Sequence, residues 1–291
     1  MRSLSLALLP GTFVVLWSTG FLGARLGLPH AEPFTFLAVR FALVVALLAP
    51  LALLLRTPWP SRRALPHLAV VGVLLHGLYL GGVFAAIARG VPAGLTALIV
   101  GLQPLVTAAV VGPLLGESVS RRQWCGLLLG FAGVLLVLSE KLAPAGGSLF
   151  DGFDLWGIWL CVVALAGITA GTLYQKRFCA EMDLLSGSAV QYAAAAAFVG
   201  ALSLTLETGV IDWHPDFVLA LAWLGLVLSI GAVTLLWILV RRGEAARTAS
   251  LFFLVPPCTA VLAYAMFDER LGPAALAGLA LAAVGVALAR R

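Results

Sequence analysis

Charged side chains are scarce in this sequence. Of its 291 residues, 11% are Asp, Glu, Lys or Arg and 62% are hydrophobic, whereas a soluble domain has about 25% charged residues. Such a chain cannot cover a water-facing surface with polar groups, so we expect lipid to be its solvent. The net charge of +5 does not indicate a nucleic-acid partner, because the basic residues lie in short loops, as membrane orientation requires.

Paired cysteines and catalytic motifs are also missing. The spacing of the four cysteines matches neither a metal site nor a disulfide framework, so we expect free thiols, no metal and no cofactor; they are Cys125, Cys161, Cys179 and Cys258. The motifs H-E-x-x-H, G-x-S-x-G and the P-loop are absent, which leaves a membrane-embedded enzyme as an unsupported alternative. Every acidic residue lies in a loop or at a span end, so no carboxylate is available at mid-membrane to couple protons or cations.

Long apolar runs extend from one end of the chain to the other. A membrane-spanning helix needs about 20 apolar residues. Breaks at charges and at Pro/Gly clusters predict ten spans: 5–26, 34–55, 66–88, 93–113, 121–139, 155–175, 186–207, 217–239, 245–266 and 273–289. No A-x-A-like cleavage site follows the first, so we expect it to remain as a span. The longest connection, 140–154, separates a first half (1–139) from a second (155–291).

The basic residues predict an orientation. With a cytoplasmic N-terminus, 13 of the 18 Lys and Arg residues fall in cytoplasmic segments, four fall in outer loops, and Arg40 lies inside a span. This bias predicts that both termini are cytoplasmic.

One unit is used twice along the chain. Residues 89–136 match residues 241–288 without gaps at an offset of 152, with 15 of 48 positions identical. The identical pairs include Arg89/Arg241, Pro104/Pro256, Glu117/Glu269 and Gly133/Gly285. The front parts of the halves align more weakly, at an offset of 151. Since five is an odd number of spans, the second half must enter the membrane from the opposite side. The sequence therefore predicts an all-α membrane protein of two inverted five-helix repeats, which permits alternating access.

Four segments carry a resemblance to a known family. They are LWSTGFLGARLG at 16–27, VRF at 39–41, the stretch 88–117 and its copy at 240–269. With the duplication, they resemble the drug/metabolite transporter superfamily, in particular its EamA-type members. The resemblance implies export or exchange of small metabolites, commonly amino acids, across a bacterial inner membrane, through a pocket walled by spans 1, 3, 4, 6, 8 and 9. The related four-span multidrug exporters have a Glu in the first span, whereas this chain has Trp17, Ser18 and Thr19 at that depth. This departure argues against proton-coupled export of cationic drugs.

Rare polar residues within the spans are the candidates for function. His76 and Tyr79 lie one turn apart and face the same side. We interpret them as a polar patch on the substrate cavity, with His76 bonding the solute or carrying a proton; the alternative is a neutral His bonded to a neighbouring helix. Arg40 lies about 9 Å inside span 2. It either attracts a carboxylate or phosphate or snorkels and fixes the position of the helix. We favour snorkelling, because the resembled family often has Arg here.

Other mid-span residues have two interpretations each. Pro104 and Pro256 are either hinges beside the cavity or static kinks. Glycine stripes in spans 5 and 10 predict close helix packing, within one chain or in a dimer; their equivalent positions favour the former, and we expect a monomer. The remaining candidates for substrate binding, with core packing as the alternative for the tryptophans, are Trp17, Thr19, Thr96, Gln103, Thr169 and Trp237, with Gln191 and Tyr192 as weaker ones.

Together these features predict a secondary transporter that exports an amino acid or a related neutral or zwitterionic solute. The alternatives are another metabolite or drug class, and a channel.

Overall fold

The structure, a computed structural model, describes residues 2–91, 93–142, 155–242, 245–267 and 272–290. In these ranges the chain is helical apart from loops and one isolated antiparallel bridge between Ala31 and Ile211. The helical stretches are α1 (Arg2–Gly27), α2 (Pro33–Leu54), α3 (Leu65–Ala88), α4 (Ala93–Val100 and Gln103–Leu115), α5 (Arg121–Leu142), α6 (Leu155–Phe178), α7 (Leu184–Leu206), α8 (Pro215–Arg242), α9 (Ala245–Ala249, Ser250–Leu254 and Val255–Phe267) and α10 (Pro273–Ala289). Each predicted span lies on one of these stretches.

Among the described residues, six helices are long and apolar enough to cross a membrane: α2, α3, α4, α6, α7 and α8. Shorter apolar helices occupy Leu8–Gly20, within α1, and Pro273–Ala289. The linker predicted at 140–154 falls mostly in the gap between residues 142 and 155, and Glu269 also lies outside the described residues.

Local sequence signals explain where several helices begin and end. Pro33, Pro215 and Pro273 occupy the first turns of α2, α8 and α10, where a missing N–H leaves no hydrogen bond unmade. The Asp183 carboxylate caps α7 by accepting the N–H groups of Leu185 and Ser186, because the first turn of a helix has no internal acceptors for them.

Helices α5 and α10 pack closely in antiparallel directions. A Cβ atom on Gly133 would lie 2.4 Å from the Ala282 nitrogen, and one on Gly126 would lie 2.4 Å from the Ala289 nitrogen. Residues later in α5 thus contact residues earlier in α10, as in an antiparallel pair of helices. Since Gly126 and Gly133 approach this closely only because they have no side chains, the glycine stripe is used within one chain, as the intrachain interpretation predicts.

The connections meet at two ends of the bundle. At one end, the Glu207 carboxylate accepts the backbone N–H groups of Phe34 and Thr35 at 2.8 and 2.6 Å. These contacts join the start of α2 to the end of α7. At the other end, the Glu117 carboxylate accepts the Lys176 ammonium and the Ala245 N–H, which joins the connection after α4 to the end of α6 and the start of α9.

The helices are irregular at equivalent places in the two halves. Helix α3 has π-helical turns over Gly72–Leu80, and α8 has them over Trp223–Ala232; the two segments start 151 residues apart. Helix α4 breaks at Gly101 and Leu102, and α9 has a 3-10 segment over Ser250–Leu254, which lies at the matching place at an offset of 152. Turns of these types within long helices often mark functional sites or hinges.

Candidate functional site

A cavity of about 50 Å³ lies between α1, α2, α3 and α8, so residues of both halves enclose it. It has room for a few water molecules, since one water needs about 10–15 Å³. The lining residues are Trp17, Gly20, Ala24, Arg40, Leu75, His76, Tyr79, Leu80, Val83, Phe84, Ile87, Leu224, Leu228 and Val233. Most of these are apolar, and the polar ones come from α1, α2 and the π-helical part of α3.

Arg40 is the charged residue of this cavity. Its side chain is 3% exposed, and its Nε–H donates to the Ser229 hydroxyl at 3.0 Å. No carboxylate of the described residues lies within ion-pair distance of it. The location does not fit the snorkelling interpretation, because a snorkelling guanidinium reaches the membrane interface. A buried guanidinium without a carboxylate is unfavourable unless an anionic group can approach it.

His76 lies in an aromatic cluster beside Arg40. Its ring stacks on Tyr192 at 4.2 Å between centroids, and the Phe41 ring lies 5.9 Å away. The Tyr192 hydroxyl donates to the Ser229 carbonyl at 2.8 Å. The His76 Nε2 atom is buried and has no hydrogen-bond partner among the described residues. Its position fits the cavity interpretation better than a histidine bonded to a neighbouring helix.

Trp17 and Tyr79 are two further polar residues of the cavity lining. The Trp17 indole lies beside the Tyr79 hydroxyl, which also lies near Arg40. The Trp17 ring packs edge-on against Phe252 of α9, with centroids 5.3 Å apart. Trp17 therefore lines the cavity and contacts the irregular part of α9.

Five of the predicted substrate-binding residues do not line this cavity. Thr19 is half-buried and accepts the Trp223 indole N–H at 2.9 Å. Thr96 accepts the Cys161 thiol at 3.7 Å. Gln103 donates to Thr107 at 3.2 Å, while its Oε1 atom is buried without a partner among the described residues. The Thr169 Oγ1 and Trp237 Nε1 atoms are likewise buried without a hydrogen-bond partner among the described residues.

The two prolines begin new helical segments. Pro104 follows the break at Gly101 and Leu102 in α4, and Pro256 follows the 3-10 segment of α9. Next to Pro256, the Val255 carbonyl accepts a hydrogen bond from the Ser18 hydroxyl at 3.2 Å. This contact ties α1 to the place where α9 changes its helical form.

Ser229 is a site residue that sequence reasoning missed. It accepts from Arg40 and itself donates to the Leu224 carbonyl at 3.0 Å, five residues earlier. A lone hydroxyl in an apolar run is a weak signal, because serines in membrane helices commonly bond their own backbone.

Comparisons with known proteins identify the family. The profile of the EamA-like transporter family matches residues 4–139 and 155–291. The chain is 28% identical to the "Uncharacterized transporter YvbV" of Bacillus subtilis over 97% of this chain and 90% of that protein. It is 27% identical to the "Probable amino-acid metabolite efflux pump" of Salmonella typhimurium over 94% and 90% of the two chains.

A solved structure shares the fold. It superposes with a TM-score of 0.77 at 24% identity and covers 98% of this chain and 96% of its own. The family profile covers most of the chain, and the six apolar helices agree with membrane embedding. The protein is therefore a multi-pass membrane transporter that belongs to the EamA-like transporter family.

Proposed function

We propose that the protein moves an amino acid or a related neutral or zwitterionic solute across the bacterial inner membrane by alternating access, and that it works as an exporter. The observation that carries this proposal is the cavity that both halves enclose around Arg40, whose charge has no carboxylate partner among the described residues. Two relatives named as probable amino-acid metabolite efflux pumps, at 26% and 27% identity, agree with this solute class and direction.

The cavity favours a solute with a carboxylate and an apolar body. Arg40 can offer its guanidinium Nη groups to a carboxylate, which is the geometry in which Arg binds carboxylates most strongly. None of the described residues that line the cavity is acidic, so these residues offer no counter-charge to a cationic drug. Leu75, Val83 and Leu224 give the rest of the wall an apolar character, and Trp17 and Tyr79 can accept an ammonium group on their ring faces.

The cavity must widen before such a solute can enter, because an amino acid is larger than the few water molecules for which there is room. Two breaks in helical form lie in helices that line the cavity, α3 and α8, and two more lie in α4 and α9. We propose that Pro104 and Pro256 act as hinges at two of them. Gln103, Thr169 and Trp237 each have a buried polar atom with no hydrogen-bond partner in the part of the chain that the structure describes. These atoms then become available to the solute as the helices part, since a buried polar atom without a partner is unfavourable.

Inverted repeats explain how one cavity can open to either side. The antiparallel packing of α5 against α10 supports this relationship, because the two helices occupy equivalent places in their halves. The contacts between connections also support it. Thr35 meets Glu207 at the end predicted to face outward, whereas Glu117 meets Lys176 at the end predicted to face the cytoplasm. We expect halves bounded near residues 139 and 155, both termini in the cytoplasm, and a monomer.

An uptake panel in liposomes tests the solute class. Purified protein is reconstituted, and labelled amino acids and other metabolites are offered with and without a pH gradient. We expect saturable uptake of at least one amino acid with an apolar side chain, and none of cationic drugs. Uptake confined to cations or to nucleotide-linked metabolites would overturn the proposal.

A membrane-impermeant label on tags in the 208–216 loop and at the C-terminus tests the topology. Reaction of both tags on one face of the membrane contradicts inverted halves.

A further inference from the structure

Two histidines from different halves of the chain stack at the end of the bundle that is predicted to face outward. His30 follows α1 and His214 directly precedes α8; their ring centroids are 4.7 Å apart and their planes differ by 4°. Each has a carboxylate at its Nδ1 atom. The distances are 2.9 Å from His30 to Asp212 and 3.5 Å from His214 to Asp216.

The backbone holds this cluster in place without any ligand. The Asp212 N–H donates to the His30 carbonyl at 2.8 Å, and the bridge between Ala31 and Ile211 continues the pairing. One residue further along, the Glu32 carboxylate accepts the Thr208 hydroxyl and N–H at 2.6 and 2.7 Å.

We propose that His30, His214 and Asp216 bind a divalent transition-metal ion of the Zn²⁺ type. One ligand atom of each residue lies within 4.8 Å of the others. Zn²⁺ binds His nitrogen at about 2.0–2.1 Å and carboxylate oxygen at about 2.0–2.2 Å, which places tetrahedral ligand atoms roughly 3.3 Å apart. The ligand atoms must therefore approach each other by about 1.5 Å at most. Side-chain rotation allows this, because His214 and Asp216 are about half exposed.

The chemistry of the ligands selects the metal. Two imidazoles with one carboxylate suit Zn²⁺ and similar ions, whereas Mg²⁺ and Ca²⁺ prefer oxygen ligands throughout. Asp212 has a separate role as a positioning residue. By accepting the Nδ1–H of His30 at 2.9 Å, it leaves the Nε2 lone pair free for a metal ion, and metal-bound histidines commonly have a carboxylate in this place.

Helix capping alone does not account for the cluster. His214 caps α8 by accepting the Asp216 N–H at Nδ1, at 3.2 Å. That bond explains His214, but it gives no reason for a second imidazole to stack on it. An ion bound by both imidazoles would require the rings to turn out of this stack, because an imidazole nitrogen binds a metal in the plane of its own ring. Bound there, it would link the connection between α1 and α2 to the connection between α7 and α8. His30 and His214 are too far apart in the sequence for a ligand-spacing pattern to reveal them.

Metal titration of the purified protein tests the site. The protein is prepared with a cleavable tag that contains no histidine, freed of metal with a chelator, and titrated with Zn²⁺ by calorimetry. The variants His30→Asn and His214→Asn remove the imidazoles, and Asn preserves the cap of α8. Because His67 lies outside the cluster and bonds Tyr174 instead, His67→Asn is the matched control.

We expect one Zn²⁺ per wild-type chain and per His67→Asn chain, with binding at least ten-fold weaker in either cluster variant. Asp212→Asn should weaken binding by about 10-fold to 100-fold, as second-sphere carboxylates do. Co²⁺ should give the strong visible absorption of a four-coordinate site in the wild type. The proposal fails if the wild type binds no Zn²⁺, if both cluster variants bind it equally well, or if Co²⁺ gives only the weak spectrum of a six-coordinate ion.

Discussion

Arg40 of the first half donates its Nε–H to the hydroxyl of Ser229 in the second half, at 3.0 Å. Ser229 is itself held by the Leu224 carbonyl, to which it donates at 3.0 Å, and its own carbonyl accepts the Tyr192 hydroxyl. The guanidinium is thus oriented by one of its nitrogens, while Arg40 lines the cavity. An oriented cation at the junction of two halves is suited to sense a bound carboxylate.

Replacing Arg40 by Gln should weaken solute uptake strongly. Loss of a charge-assisted hydrogen bond is worth about 1.5–3 kcal/mol, which corresponds to a fall of roughly 10-fold to 150-fold in apparent affinity. The measurement is uptake against solute concentration in liposomes. Ser229→Ala is the matched control, since it keeps the charge and removes only the orienting acceptor; its loss should be smaller. An unchanged apparent affinity for the solute in Arg40→Gln would show that Arg40 does not bind a carboxylate of the solute.

Trp17→Ala and His76→Ala should each lose most of their uptake while the protein still folds. Both side chains line the cavity, and the His76 Nε2 atom has no other partner among the described residues. Trp156→Ala is the control, because Trp156 is 54% exposed on α6, away from the cavity. Size-exclusion profiles in detergent check the folding. Wild-type uptake in both cavity variants would show that the solute binds elsewhere.

Gly133→Ala should destabilise the protein, whereas Gly200→Ala should not. The added methyl group at position 133 meets the backbone of Ala282 at 2.4 Å, but the same group at position 200 meets nothing within 4 Å. Overpacking costs about 1–3 kcal/mol, while Gly→Ala in an open helical position is neutral or stabilises by up to about 1 kcal/mol. Thermal unfolding in detergent compares the two variants. Equal melting temperatures would argue against close packing of α5 on α10.

Glu117→Gln should destabilise the protein more than Lys176→Met. The Glu117 carboxylate serves both the Lys176 ammonium and the Ala245 N–H, whereas the lysine change leaves the second bond in place. An isolated ion pair is worth about 0–1 kcal/mol, and a hydrogen bond to a charged group about 1.5–3 kcal/mol. The free energy of unfolding of the two single variants and of the double variant gives the contribution of the Glu117–Lys176 ion pair, apart from that of the bond to Ala245. A larger effect for Lys176→Met would contradict this order.

The helices could be predicted because the signal for them is coarse. Apolar runs of about 20 residues have few alternatives in lipid, so α2 and α7 were evident from composition. The π-helical turns of α3 and α8 could not be predicted, since neither Gly72–Leu80 nor Trp223–Ala232 contains a proline to mark an irregularity. Their stability depends on tertiary contacts, which local sequence does not contain.

The candidate site was predicted in part, for a similar reason. Arg40 and His76 stand out because ionisable residues are rare in apolar runs, and the structure brings both to one cavity. Ser229 did not stand out, because its role depends on the contact between α2 and α8. The preference for a snorkelling Arg40 took no account of its burial in the bundle, at 3% exposure, because depth along a helix does not reveal which side of the helix faces the bundle.

Counterflow tests the central claim most directly, because a carrier exchanges solute across a closed cavity and a pore does not. Liposomes are loaded with an unlabelled amino acid that the uptake panel identifies, and the labelled form is added outside. We predict that the wild type accumulates label transiently above its equilibrium level and that Arg40→Gln does not. Label that only equilibrates in the wild type, or overshoots equally in Arg40→Gln, would contradict a solute cavity organised around Arg40.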